Sequence, residues 1–347
     1  MKAKEALSYD DILLVPKYSD IKSRSEINIG SSFVGTYATV QLSLPIIGSP
    51  MDTISEVDMG VAMWKEGGLS IIHRYNTVEE QSQLAHAIVV GANANAAAAV
   101  GASGDYLDRA TALYDAGIRI LCIDVAHGHH IHVKNALYEL RQIFGDKAHL
   151  MAGNIATLEG FVDLANWGAN CVRVGIGGGS ICSTRVQTGH GIPTLESIIA
   201  THIAKKDGRF ADVKVIADGG IKNSGDIVKA LACGADFVMV GSLLSGTDEC
   251  PGEIIKTKKG EFKTYRGMAS KDAQMDWRGK TASLEGISTV VPHRGPVSDV
   301  LAELKRGICS GLSYSGVRTI SELQEKAQFI IQSAAGQAES STHILGR

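Results

Sequence analysis

Eight short apolar runs, separated by helix-patterned stretches, constrain this chain more than any other feature. They lie at 45–49 (PIIGS), 69–73 (LSIIH), 97–102, 118–125 (IRILCIDV), 149–155, 171–176 (CVRVGI), 213–218 and 236–241. Continuous runs of this length suit strands of a parallel sheet buried on both faces. Helical patterning occupies 55–65, 78–89, 106–116, 131–144, 158–167, 194–204 and 224–232. Several of these end in glycine just before the next run (EGG, DAG, NWG, ACG), the residue that closes a helix in the left-handed conformation. The alternation predicts an α/β fold, a (β/α)8 TIM barrel. A doubly wound open sheet would need fewer strands and a G-x-G-x-x-G after the first, which is absent. The chain reads as a single domain over 1–347. It has a lead-in at 1–44, a flap at about 265–295, and closing helices (296–307 and 319–333) with a tail within 296–347.

Charge and cysteine usage narrow the function classes. A net charge of −3 gives no global pull toward nucleic acid or an anionic membrane. No run approaches the ~18 apolar residues of a membrane span, and the start has no apolar stretch long enough for a signal peptide. The six cysteines show no C-x-x-C spacing, against both a zinc knuckle and a secreted disulfide framework. These features describe a cytoplasmic enzyme with free thiols.

Barrel chemistry sits at the C-terminal ends of the strands. There stand Ser49, Met51 and Asp52; His73 and Arg74; Asp124 and His127; Asn154; the loop Gly175–Thr184; Asp218-Gly219-Gly220; and Gly241-Ser242. The glycine endings of strands seven and eight, each opening a loop or helix, suit a phosphate, with Ser180 and Ser242 as hydroxyl donors. The glycines of GIGGGS permit positive φ and close backbone approach, not packing. Cys182 follows them at once on a mouth-facing loop and is the candidate nucleophile. The run from His127 to His132 lacks a paired carboxylate or cysteine and suits loop and cap roles better than a metal. The basic stretch 256–263 reads as a solvated hairpin.

Together the segments SYDDILLVP (8–16), SPMDT (49–53), GLSIIHR (68–74), DVAHGH (124–129), MAGNIAT (151–157), GIGGGSICSTR (175–185), IADGGIKNSGDIVKAL (216–231), MVGSLLSGTDECPGE (239–253) and YRGMAS (265–270) resemble the IMP dehydrogenase and GMP reductase family over essentially the whole chain. The resemblance implies that Cys182 attacks C2 of a purine nucleotide, with Thr184 and Glu285 moving protons at the adduct. Ser180, Asp218, Gly219, Gly220, Gly241, Ser242 and Tyr265 would hold ribose and phosphate. Gly267, Met268 and Ala269 would meet the base, and Arg74, Asp124 and Asn154 would face the nicotinamide cofactor. It also implies a homotetramer and a potassium site, built from the carbonyls of Gly177, Gly179 and Cys182 and from Glu339, Ser340 and Ser341 of the next subunit. The stretch 75–95 leaves no room for the CBS modules that the family's usual dehydrogenases insert there. Position 178, commonly proline in the family, is glycine here.

The direction of reaction turns on the flap. A dehydrogenase of the family hydrolyses its adduct with an adjacent Arg-Tyr pair, whereas 265–285 carries Trp277-Arg278 and no such pair. The tail and the GPVSDV segment (295–300) look more like the dehydrogenase, and Ala282 stands where the reductase has a basic residue. Because general-base help is worth ~10²–10⁴ in rate, the missing pair weighs more. The expectation is NADPH-dependent reductive deamination of GMP to IMP. The alternatives are oxidation of IMP with NAD and, from another class, an FMN-binding barrel using the same phosphate loops.

Overall fold

Each apolar run feeds two cores at once, which is why it shows no polar alternation. The computed structural model describes residues 3–33, 39–206 and 208–340. Parallel strands β1 (Ile46–Gly48), β2 (Leu69–Ile72), β3 (Ala97–Val100), β4 (Ile120–Asp124), β5 (His149–Ile155), β6 (Cys171–Val174), β7 (Lys214–Asp218) and β8 (Phe237–Val240) close into a barrel, β8 pairing with β1. Ile47, Leu69, Ile71, Ala97, Ala99, Ile120, Cys122, Met151, Cys171, Ile216 and Phe237 fill the interior. Their neighbours Ile46, Ile72, Ala98, Leu121, Leu150, Val172, Val215 and Val238 pack outward under the helices. The expected barrel is therefore observed, with the strands where the apolar runs placed them.

The helices are α1 (Val57–Lys65), α2 (Val78–His86), α3 (Tyr106–Asp115), α4 (Ile131–Phe144), α5 (Leu158–Asn166), α6 (Thr194–Lys206), α7 (Ser224–Ala232) and α8 (Val297–Tyr314). Local sequence sets their starts: Thr77 and Glu80 form a capping box on α2, and the side chains of Thr157 and Asn223 accept from Gly160 and Asp226 N–H groups. Between β2 and β3 stand only α2 and one wide turn, Ala87–Gly91, so no further module is inserted there.

The lead-in plugs the barrel floor. A hairpin of Ser31–Phe33 with Val40–Leu42 carries Phe33 under the barrel, where its ring stacks on Phe237 at 4.4 Å. Three expectations need correction. The first closing helix runs on to Tyr314. The second stops at Lys326, and Phe329–Ile331 is instead a strand antiparallel to Ile12–Leu14, because a β-branched end finds a distant partner. The basic hairpin exists as Ile255–Thr257 with Gly260–Arg266, but Lys263 is buried, not solvated. Its ammonium donates to the carbonyls of Thr247 (3.2 Å), Asp248 (3.1 Å) and Cys250, fixing the flap root to the loop after β8.

Candidate active site

A cleft of about 640 Å³ opens at the C-terminal mouth of the barrel, and Cys182 stands on its wall. The thiol is exposed, while the other five cysteines are buried. Burial pushes the Cys122 and Cys233 thiols up to about 12, leaving them inert. The loop that presents Cys182 folds tightly because of its glycines. Gly175 has φ +144°, and a Cβ there would lie 1.9 Å from the Asp218 carbonyl. A Cβ on Gly178 would lie 2.7 Å from Thr194 Oγ1 and 3.3 Å from Gly219 C. Glycine at 178 thus lets the loops after β6 and β7 touch. Cys182 N–H donates to the Gly179 carbonyl (3.1 Å), and Sγ lies 3.1 Å from Thr184 Oγ1.

The flap is zipped to this loop. After Gly260–Arg266 the chain turns through Gly267–Ala269, forms a helix at Lys271–Arg278, and returns as Ser288–Pro292, pairing with the outgoing strand. Between helix and strand, Ser183 N–H donates to the Glu285 carbonyl (2.9 Å) and Ile287 N–H to the Ile181 carbonyl (3.1 Å). Gly267 N–H donates to the Ile287 carbonyl (3.0 Å) from the other side. Glu285 therefore lines the same cleft as Cys182 and Thr184, its Oε1 accepting from Ser283 Oγ at 2.8 Å. Arg266 ties the flap to the barrel, donating to Asp52 (3.0 and 2.7 Å) and Asp276 (2.5 Å).

The expected phosphate and ribose residues gather around the same cleft, Ser180 on the Cys182 loop itself. Ser180, Asp218, Gly219, Gly220, Gly241, Ser242, Tyr265, Gly267, Met268 and Ala269 all line the cleft. Among the described residues, the N–H groups of Gly219, Gly220 and Ser242 donate to no backbone carbonyl. The Tyr265 hydroxyl would lie 3.1 Å from a Cβ on Gly241, so only glycine leaves it room. Burial pushes the Tyr265 phenol up, against the pull of its hydrogen bond to Ser180. Of the two forms expected, loop or helix, both glycine ends open loops: α7 starts at Ser224, past the glycines, and the chain after Gly241 makes turns.

Arg173, which the sequence reading passed over, organises the floor of the cleft. Its buried guanidinium donates to Asp124 Oδ1 (2.5 Å) and Asp218 Oδ2 (2.9 Å). Burial opposes its charge, and these carboxylates more than offset that, keeping it protonated. Asn154 Nδ2 donates to the same Asp218 oxygen (2.7 Å) and to the Gly175 carbonyl (2.8 Å), and Arg74 Nε donates to the Asp124 carbonyl (3.3 Å). Ser49, expected at the end of the first strand, also lines the cleft, as do Ser8, Tyr9 and Asp10, which lay in a quoted motif without being assigned to the site.

A second cavity, about 500 Å³, shares Arg74, Tyr75 and Val125 with the first. Trp277 of the flap helix stacks on Tyr75 (4.2 Å, 10° between planes), with Arg74 near both rings and Arg278 over the indole. Buried Arg109 holds the floor of this cavity, donating to Gln81, Asn76 and Asp105. The histidine run supplies the cap expected of it, but it also finds a carboxylate that the sequence does not place beside it. His130 caps α4, accepting from His132 N–H, and His129 pairs with Asp163 at 2.8 Å. No metal-ligand cluster exists among the described residues. Of the tail residues, Ser341 lies outside the described part, and Glu339 and Ser340 do not line the cleft.

The family model for the IMP dehydrogenase / GMP reductase domain matches residues 6–343. The chain is 32% identical to an inosine-5'-monophosphate dehydrogenase of Nitrosopumilus maritimus, over 99% of both proteins. It is 36% identical to a GMP reductase of Buchnera aphidicola, over 93% of both. Among solved structures it resembles a GMP reductase of Trypanosoma brucei, carrying a cysteine-to-alanine substitution and in complex with guanosine 5'-monophosphate. The TM-score is 0.90 at 27% identity, covering 98% of each chain.

Proposed function

The chain belongs to the IMP dehydrogenase / GMP reductase family, whose members are purine nucleotide oxidoreductases, and from that premise we propose that it deaminates GMP reductively to IMP and ammonia, using NADPH. The observation that carries this reading is the flap. Where a hydrolytic enzyme needs an adjacent Arg-Tyr pair, Trp277 is stacked on Tyr75 and the Arg278 guanidinium donates to Gln274 Oε1 at 2.6 Å, with no tyrosine next to it in the chain.

Cys182, as thiolate, adds to C2 of GMP. The 2-amino group takes up a proton and leaves as ammonia, with Thr184 and Glu285 handling the protons. Asp218, tied on one oxygen by Arg173 and Asn154, keeps the other for the ribose hydroxyls. Gly219, Gly220, Gly241, Ser242, Ser180 and Tyr265 hold the phosphate, while Gly267, Met268 and Ala269 meet the base edge. Bound beside C2, a reduced dinucleotide would supply the hydride that takes the place of the amino group, and release of the Cys182 thiolate would then free IMP. Asp124 and Asn154 face the nicotinamide, and the donors lining the second cavity fit a phosphate-rich dinucleotide. Among the described residues, Arg74 spends only Nε and Arg278 only one nitrogen on protein acceptors. Potassium would be held by the carbonyls of Gly177, Gly179 and Cys182 with Glu339, Ser340 and Ser341 of a neighbouring subunit in a homotetramer. The donor set fits: the Gly177 and Cys182 carbonyls accept no backbone hydrogen bond among the described residues. The ion would pin the Cys182 loop.

The test is to supply GMP with NADPH, and separately IMP with NAD⁺, each in K⁺ and Na⁺ salts at equal ionic strength, following the reduced-nicotinamide absorbance. NADPH loss on GMP, faster in K⁺, is expected. NADH formation from IMP without NADPH loss on GMP would establish the dehydrogenase reading, which the relatives bearing that name favour.

A further inference from the structure

The flap carries a buried side chain that touches neither cleft and yet joins the two arms of the flap. Gln274, on the helix Lys271–Arg278, is almost wholly buried and uses all four of its hydrogen-bonding positions. Its Nε2 donates to the Ala269 carbonyl (3.0 Å) and to the Ser283 carbonyl (2.9 Å). Its Oε1 accepts from Ala282 N–H (2.7 Å) and from Arg278 (2.6 Å). Ala269 ends the base-edge turn, and Ala282 and Ser283 lead directly into Glu285, whose carboxylate is held by Ser283 Oγ at 2.8 Å. The two arms already lie close, since a Cβ on Gly286 would come within 3.1 Å of Ser270 N. The amide bonds both arms and so fixes their offset.

We propose that Gln274 is the positioning residue of the flap, setting the Glu285 carboxylate against the base-edge turn at Ala269. The role of Glu285 comes from the proposed function above, and the inference rests on that reading. A buried side chain with two donors and two acceptors satisfied cannot be replaced without leaving several partners unmet. The Ala282 N–H and the Ser283 carbonyl would then seek new partners, shifting Ser283 and with it Glu285. A displacement near 1 Å of a proton-transfer group costs ~10²-fold in rate.

Gln274→Met keeps volume and helix propensity and removes all four bonds. Its expected result is a kcat lower by ~10–100-fold, with the KM for GMP changed less than threefold. The discriminating measurement is a double-mutant cycle with Glu285→Gln. If Gln274 acts through Glu285, adding Gln274→Met to Glu285→Gln removes little further activity. Losses that multiply independently would overturn the inference. Gln274→Glu guards against a variant that simply misfolds, because it is read against itself. Its carboxylate still accepts from Ala282 and Arg278 but repels the Ala269 and Ser283 carbonyls. Protonation restores one donor, so its kcat should recover toward wild type as pH falls. A profile parallel to wild type would overturn the inference. Wild-type turnover of GMP with NADPH tests the underlying reading, while the variant-to-wild-type ratios test Gln274, so the two can fail separately.

Discussion

Replacing Arg173 with methionine should cost both stability and nucleotide affinity, and the size of the loss follows from the geometry. The guanidinium is buried between Asp124 at 2.5 Å and Asp218 at 2.9 Å, and methionine fills much of its volume without its charge. Removing one partner from a buried ion group typically costs ~3–5 kcal/mol, because the remaining charges stay behind uncompensated. In a chain of this length that corresponds to roughly 4–7 °C in melting temperature. Thermal unfolding of both proteins reads the effect, and Arg173→Lys, which keeps one charge but cannot fork to both acids, should fall between. A deficit below about 1 kcal/mol, the range of exposed pairs, would refute the reasoning.

Three other substitutions probe the site. Cys182→Ala should abolish turnover while GMP still binds, since the phosphate and ribose contacts lie apart from the thiol; residual turnover within tenfold of wild type would remove Cys182 as nucleophile. Gly178→Ala should lower melting temperature and activity, by ~1–3 kcal/mol of overpacking against Thr194 Oγ1, and adding Thr194→Ala should recover most of it; no recovery would refute the contact. Trp277→Ala should raise the KM for NADPH several-fold, as expected from losing an aromatic stack worth ~0.5–1.5 kcal/mol, and leave GMP affinity unchanged; an unchanged KM would show that the stack on Tyr75 does not shape the second cavity.

The barrel was legible because every strand is buried on both faces, so the apolar runs survive as runs and no register need be guessed. Cys182 was legible for a related reason: four glycines close together have no packing use, and they single out the thiol beside them. Partners distant in sequence were not legible. Phe329–Ile331 continues a helix-like pattern locally, and only its pairing with Ile12–Leu14 makes it a strand. Arg173 left a clearer trace than was used, because a lone charge within CVRV, in a strand buried on both faces, must find acids inside the barrel. Asp124 and Asp218, at the C-terminal ends of β4 and β7, were the available ones. Lys263 could have been read the same way. In Gly260–Arg266 it shares the period-two face of Tyr265, so a strand that buries one must bury the other. Gln274 offers no such signal, since a glutamine on a helix of polar neighbours reads as exposed. Its place depends on the chain returning over it at Ala282 and Ser283, a fact of tertiary structure alone. The parts of this site that make contact with the nucleotide thus announce themselves in sequence through glycine and thiol, whereas the parts that hold those groups in position do so only through the bonds they make.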